Sequence, residues 1–218
     1  MAAACYRRGM RDATGDDLRF PADRGRLTER LRLEPGDPRH AEDLWRLHQH
    51  GDVAFWHGGR WTLEKAHRRA TAMARAWETD GVGKWMAYDR VTGELVGRGG
   101  LSRIDADGEL TRQIRSLLPG RRWARDRLEV GWTVRGDLWG RGYATEIGRA
   151  GLALAFEELG AEEVIAYTER HNRRSRAVME RLAMRHVGEI VSRGLVEGRD
   201  GEHDDAPFAL YAIGRPEG

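Results

Sequence analysis

The fold is decided by residues 128–159, which read LEVGWTVRGDLWGRGYATEIGRAGLALAFEEL. Leu128–Val134 predicts a strand, and Arg141–Leu159 predicts a helix because small and apolar residues recur there at helical spacing. The predicted inward face of the helix consists of Ala144, Ile147, Gly148, Gly151, Leu152, Ala155 and Leu159. Glycine and alanine make up most of this face, so we expect the helix to approach a sheet closely, and Gly160 is placed to end it.

The loop between this strand and helix has the features of an anion site. Gly140 and Gly142 lack the Cβ atoms that would keep a ligand away from the backbone. The N–H groups and the positive dipole end of the following helix point over the loop, and pyrophosphate suits such a site. Several families use loops of this kind. A Walker loop needs Gly-Lys-Ser/Thr, which is absent, and a dinucleotide fingerprint needs a third glycine where Thr145 stands.

Strand and helix patterns alternate through the rest of the chain. Further strands are predicted at Leu27–Leu33, Lys84–Asp89, Glu94–Leu101, Val164–Thr168, Val187–Val191 and Pro207–Ile213. Further helices are predicted at Ala41–His48, Thr62–Thr79 and Asn172–Ala183. Residues 103–127 form a charged excursion, and residues 1–26 are interpreted as a flexible tail. The order predicts one mixed α/β domain over residues 27–218.

Composition narrows the class of protein. The chain is 40% hydrophobic and 33% charged, which is typical of a globular domain. No apolar run approaches the roughly 20 residues that span a bilayer, and the polar N-terminus lacks a secretory signal, so we expect a cytoplasmic protein without membrane contact. With 37 basic against 35 acidic residues, nucleic-acid binding is not indicated. A single cysteine, Cys5, and scattered histidines predict neither a disulfide nor a metal site.

Three motifs together resemble the GNAT superfamily of N-acetyltransferases, in the branch of the ribosomal-protein N-terminal acetyltransferases. They are Glu129-Val130-Gly131-Trp132, Trp139-Gly140-Arg141-Gly142-Tyr143-Ala144-Thr145-Glu146 and Asn172-Arg173-Arg174-Ser175-Arg176-Ala177-Val178-Met179-Glu180. Residues 30–33 and 92–97 also resemble that branch, and the likeness covers residues 27–213. It implies a central, mostly antiparallel twisted sheet flanked by helices, and a homodimer is possible.

The resemblance also implies acetyl-CoA as co-substrate and a set of residues to hold it. The backbone amides of Gly140, Arg141, Gly142, Tyr143, Ala144 and Thr145 would bind the pyrophosphate. The strand through Trp132 to Val134 would bond the pantetheine arm, with Trp139 as the bulky residue that this branch tolerates before the glycines. Asn172 would contact the pantetheine or a water. Arg176, with Arg141, Arg173 and Arg174, could pair with the phosphates, although exposed arginine is the default.

Acetyl transfer to an amine needs a base for the ammonium and an acid for the departing thiolate. Glu129 is the candidate base, through water, and a surface carboxylate at a strand end is the equal alternative. Ser175 is the candidate acid, one helical turn after Asn172, which would cap that helix. Tyr167, at the end of the preceding strand, is the second candidate acid.

The leading prediction is an enzyme that transfers an acetyl group to a primary amine by direct attack in a ternary complex. The acceptor is a protein N-terminus, another peptide or a small-molecule amine. The alternatives are a non-catalytic module that binds acetyl-CoA and, as a third possibility, a nucleotide-dependent oxidoreductase. Trp56, Trp61 and Trp85 are candidates for an acceptor cleft, with core packing as the default. The acidic loop Glu197–Asp205 could attract a cationic acceptor, although a solvated hairpin loop is the commoner case.

Overall fold

A computed structural model describes residues 24–119 and 122–216. The strands are β1 Arg26–Leu27, β2 Leu31–Pro35, β3 Lys84–Asp89, β4 Leu95–Arg103, β5 Leu128–Val134, β6 Glu163–Glu169, β7 Arg185–Leu195 and β8 Glu202–Gly214. The α-helices are α1 Ala41–Leu47, α2 Gly51–Phe55, α3 Leu63–Thr79, α4 Glu109–Leu117, α5 Arg122–Asp126, α6 Tyr143–Ala153 and α7 Arg173–Arg181. Residues 1–23 of the predicted tail, including Cys5, lie outside the described residues.

The eight strands form one sheet in the order β1-β2-β3-β4-β5-β6-β8-β7. Neighbours are antiparallel except β5 and β6, which run parallel and are in register at Glu129 and Ile165. Elsewhere along their described lengths these two strands are not paired, so the sheet splits towards their C-terminal ends. The predicted fold class, a mixed and mostly antiparallel single-domain sheet with flanking helices, is confirmed.

Helix α6 lies close against the centre of the sheet because of its glycines. A Cβ added at Gly151 would be 2.9 Å from Val130 Cγ2, and one added at Gly148 would be 2.5 Å from Leu182 Cδ1. The predicted close approach is therefore confirmed. The prediction for Leu159 is wrong: its side chain is exposed, because Leu154–Glu158 form a π-helical turn that changes the helical period. Gly160 ends the element with φ +66°.

The first predicted strand is also corrected. Leu27–Leu33 is not continuous but folds into a tight antiparallel hairpin, β1 and β2, in which Leu27 pairs with Arg32. The turn is closed by Thr28, whose N–H donates to the Leu31 carbonyl at 2.9 Å and whose Oγ1 accepts from the Leu31 N–H at 3.0 Å. An alternating leucine pattern cannot distinguish one strand from two that share a short turn.

The charged excursion contains two helices that cover the C-terminal half of the sheet. Ile114 of α4 and Trp123 of α5 are buried against Ile165, Ile190 and Leu210, and the Trp123 indole N–H donates to the Leu128 carbonyl at 3.0 Å. The final hairpin is longer than predicted, since β7 and β8 extend well beyond Val187–Val191 and Pro207–Ile213. No helix in the described part of the chain is long and apolar enough to cross a membrane.

Replacing Gly151 by valine tests the close approach of α6. We expect G151V to lower the free energy of unfolding by about 2 kcal/mol, because the added methyl groups would overlap buried Val130. The control is R149V, which places the same β-branched residue on the exposed side of the helix and should cost only about 0.5 kcal/mol. Denaturant unfolding measures both, and equal losses would contradict the packing described.

Candidate active site

A cleft of about 1060 Å³ runs through the split between β5 and β6 and opens on both faces of the sheet. On one face Trp85, Val130 and Trp132 pack with Ile147 of α6. On the other face Met86 and Tyr88 pack with the helices α1 and α3. Because side chains alternate along a strand, Glu129 and Thr133 face α1–α3, whereas Trp132 and Val134 face α6. The cleft therefore joins two chemically different chambers.

The chamber beside α6 is built on the predicted anion loop. Gly140 and Gly142 have φ values of +77° and +84°, which side chains other than glycine rarely adopt. Helix α6 begins at Tyr143, and no side chain caps its N-terminus. The amides of its first turn therefore point towards the cleft with the positive end of the helix dipole, as an anion such as pyrophosphate requires.

Two contacts hold this loop in place. The Trp139 indole N–H donates to the Val134 carbonyl at 2.9 Å and so fastens the loop to the end of β5. The Arg30 guanidinium donates to the Arg141 carbonyl at 2.8 Å, lies 4.5 Å from the centre of the Tyr143 ring and pairs with Glu146 at 2.7 Å. Burial alone would raise the pKa of Glu146, but hydrogen bonds from Thr28 and Arg30 hold it below its ordinary value.

Most of the residues predicted to bind the cofactor line the cleft. They are Trp132, Val134, Trp139, Gly140, Gly142, Tyr143, Ala144, Thr145 and Asn172. The exposed Arg141 side chain does not line it, although its backbone belongs to the loop. Arg176 is turned away as well, because its guanidinium donates to the Tyr211 hydroxyl and the Arg170 carbonyl, both at 3.1 Å. Arg174, from the same motif, lines the cleft and lies 4.8 Å from the Trp139 ring centre.

Glu129 lies on the face of the sheet opposite α6, at the point where the strands separate. Its Oε2 accepts from Lys84 Nζ at 2.8 Å and from Ser102 Oγ at 2.7 Å. Its Oε1 lies over Gly131, where an added Cβ would be only 2.5 Å away. Burial lowers the pKa of Lys84, and the charge of Glu129 opposes that shift. One carboxylate oxygen is therefore fixed while the other faces the cleft.

The two candidate acids lie on opposite sides of the split. Asn172 caps α7 through a hydrogen bond from the Ser175 N–H to its Oδ1 at 3.1 Å, as the capping alternative predicted. Ser175 lines the cleft on the side of α6 and α7. Tyr167 lines it on the side of Glu129, and its ring meets Phe208 edge to face. Burial, with the charges of Glu129 and Glu169, raises the pKa of Tyr167, so its hydroxyl keeps its proton.

Comparison with known proteins decides the family. Residues 30–185, well over half of the chain, match the model of the acetyltransferase (GNAT) domain. The chain belongs to the GNAT acetyltransferase family. It is 34% identical over 165 residues to FsC-acetyl coenzyme A-N(2)-transacetylase of Aspergillus fumigatus, a match that covers 73% of this chain and 64% of that protein, so it spans less than two thirds of the relative.

Solved structures agree with this assignment. A GNAT-family acetyltransferase from Bordetella pertussis, described as putative, superposes with a TM-score of 0.66 at 25% identity, covering 88% of this chain and 99% of that one. A ribosomal L7/L12 alpha-N-protein acetyltransferase in complex with coenzyme A has a TM-score of 0.62 at 14% identity, covering 87% and 97%, and shows the fold alone. Both superpositions agree with membership of the GNAT family.

Sequence reasoning missed several residues of this GNAT cleft. The missed residues are Lys84, His57 and Arg98, which line the cleft beside Glu129. Trp56 and Trp61, two of the candidate tryptophans, line it as well. Trp85 does not, because it is buried in the core against Trp77. One signal was available: Lys65 and Lys84 are the only lysines among 37 basic residues, and both line the cleft. Within the described ranges, no group of three His, Cys, Asp or Glu side chains could hold a metal ion.

The loop geometry gives a test with a close control. We expect G142V to weaken the binding of acetyl-CoA by at least about tenfold, because a β-branched residue strains the left-handed backbone from which the loop amides are presented. Gly198 has a similar φ of +78° in an exposed turn that does not line the cleft, so G198V should carry the same strain and leave the affinity unchanged. Isothermal titration calorimetry measures both, and unaltered affinity in folded G142V would contradict the site.

Proposed function

We propose that this GNAT enzyme transfers the acetyl group to a primary amine by direct attack in a ternary complex. The observation that carries the proposal is the single cleft that joins the anion loop on one face of the sheet to Glu129 on the other. The Aspergillus relative is an N(2)-transacetylase by name, which supports a nitrogen acceptor. A cytoplasmic location and a homodimer remain predictions.

The residues on the α6 side fit the co-substrate. The amides of residues 140–145 would hold its pyrophosphate, and Arg174 beside Trp139 would add a positive charge. The exposed backbone edge of β5 from Gly131 to Val134 would receive the pantetheine arm along the split. Bound there, acetyl-CoA supplies an activated acyl group as a thioester. The chain's own residues would then position the amine and move the protons.

Glu129 is the base in this proposal. An amine acceptor is mostly protonated near neutral pH and must lose a proton before its nitrogen can attack. Lys84 and Ser102 fix Oε2 of Glu129, which leaves Oε1 to accept that proton, directly or through a water. A purely structural carboxylate would need only its bond with Lys84, and the position of Oε1 over Gly131 at the cleft wall favours the catalytic role.

Ser175 is the acid in this proposal, with Tyr167 as the alternative. As the new carbon–nitrogen bond forms, the carbon–sulfur bond breaks and the departing thiolate takes up a proton. In this proposal the thiol would enter from the side of α6 and α7, and Ser175 lines the cleft on that side. Tyr167, which stays protonated but faces Glu129, would have to reach the sulfur across the split.

Variants at these positions test the assignments in one assay. We expect E129Q to lower kcat on the order of 100-fold and S175A about tenfold, with acetyl-CoA affinity retained, because each removes a proton-transfer group. The control is E189Q, an exposed carboxylate on β7. Rates are measured across pH together with the unfolding free energy, since E129Q also leaves Lys84 without its counter-ion.

Each outcome is decisive for one role. Full activity of E129Q across pH would exclude Glu129 as the base. Unchanged turnover in S175A, together with a large loss in Y167F, would move the acid role to Tyr167. Acetyl-CoA binding without transfer to any amine by the wild-type protein would contradict the proposed function and favour a binding module.

A further inference from the structure

The chamber that faces Glu129 contains a cluster of positive charge around one indole ring. Lys65 Nζ lies 4.8 Å from the centre of the Trp61 ring, and the guanidinium carbons of Arg98 and Arg69 lie 5.9 and 6.0 Å from it. Lys65 and Arg69 come from α3, and Arg98 comes from β4. All four residues line the cleft. We call Lys65, Arg69, Arg98 and Trp61 the cation cage.

The cage cations form no direct ion pair with the described residues, although the charge of Glu129 acts on Arg98 from a greater distance. No carboxylate of a described residue lies within 4.0 Å of Lys65, Arg69 or Arg98. Four acidic side chains line the cleft, namely Asp52, Glu129, Glu169 and Glu202. Glu129 is paired with Lys84 at 2.8 Å and Glu202 with Arg193 at 3.2 Å, and none of the four forms an ion pair with the cage among the described residues. Three like charges close to one ring repel one another, and an anion between them would remove that repulsion.

The pKa values of His57 and Arg98 are lowered by burial and by the neighbouring positive charges. Burial, followed by the charges of Arg98, Lys65 and Arg69, lowers the pKa of His57 to about 3. Burial and then the charge of Arg69 lower the pKa of Arg98 to about 10 against the opposing charge of Glu129, so its guanidinium is still protonated near neutral pH. His57 is therefore neutral and adds no charge to the cage, and its Nε2 lies 3.2 Å from Thr133 Oγ1.

Polar atoms of the cage are also left without partners. Arg98 Nε and Trp61 Nε1 are buried and have no hydrogen-bond partner among the residues that the structure describes. Trp61 is 6% exposed, and the ring of His48 stacks on it at 3.4 Å. Buried donors without acceptors cost free energy, so native proteins seldom retain them without a ligand, a water or a functional reason. Both of these atoms are donors, which suits an oxyanion.

The cation cage and the anion loop lie on opposite faces of the sheet. Arg98 pairs in register with Met86 and Thr133, whose side chains face α1–α3, whereas the loop lies beside α6 on the opposite face. Arg98 and Glu129 are four residues apart along the paired strands β4 and β5, or about 13 Å in the strand direction. Both side chains line the same cleft, so one small molecule can reach both.

We propose that the cation cage binds an oxyanion, a carboxylate or a phosphate, on the acceptor molecule itself. The acceptor is then a small amine that also carries a negative group, with the anion between Arg98, Lys65 and Arg69 and the amine beside Glu129. This inference rests on the proposed function, because it names the acceptor class of the same site. A cationic polyamine is disfavoured, since it would meet the same charges.

The test compares acceptors that differ only in the anion. Acetyl transfer is measured for the standard amino acids against their carboxamides, and for O-phosphoethanolamine against ethanolamine. In one of these two comparisons we expect kcat/KM to be at least about tenfold higher for the anionic acceptor than for the neutral one. The comparison that shows this preference identifies the anion as a carboxylate or a phosphate. R98Q should remove this preference through KM. K65Q is the second cage variant, and R68Q, an exposed arginine paired with Glu64 on the same helix, is the control.

The possible outcomes distinguish a failure of the cage assignment from a failure of the proposed acetyl transfer. Equal transfer to anionic and neutral acceptors, or an unchanged preference in both R98Q and K65Q when folded, would overturn the cage alone. Calorimetry with acetyl-CoA accompanies each variant and should give the wild-type affinity. Bound acetyl-CoA with no transfer to any acceptor by the wild type would overturn the proposed function, and the cage assignment with it.

Discussion

The separation of β5 from β6 is the constraint on which the rest of this GNAT structure depends. The strands run parallel and pair at Glu129 and Ile165, and beyond that point each presents a backbone edge without a strand partner among the described residues. Backbone groups in a sheet interior need hydrogen-bond partners, so a split there is favourable only where a ligand or solvent supplies them. The split also connects the two faces of the sheet, which otherwise could not share a reaction centre.

Glycine positions the anion loop on one side of that split. Gly148 and Gly151 let α6 lie directly against β4 and β5, so the N-terminus of the helix is brought to the mouth of the cleft. Gly140 and Gly142 supply the left-handed turns that lead into it, and Arg30 ties the loop to Glu146 from the first hairpin. The opposite chamber depends on charge, with Glu129 held by Lys84 and the cation cage beyond it.

The half of the cleft that contains the anion loop could be predicted from the sequence, whereas the half that contains Glu129 and the cation cage could not. The loop, α6 and the Asn172 cap are local features whose residues are close in the chain, so spacing and turn chemistry reveal them. The pairing of Lys84 with Glu129 joins residues 45 apart, and the cage joins α3 to β4, so both depend on strand register. Leu159 and the β1–β2 hairpin were mispredicted because a π-turn and a tight turn leave the hydrophobic pattern almost unchanged.

The central claim is that acetyl-CoA and the acceptor enter one cleft from opposite faces of the split sheet. A crystal structure of the protein with coenzyme A tests it most directly. The account predicts the pyrophosphate on the amides of residues 140–145, the pantetheine along the edge of β5, and the sulfur between Ser175 and Glu129. Coenzyme A bound outside the split, or with its sulfur on the α6 face and remote from Glu129, would contradict it.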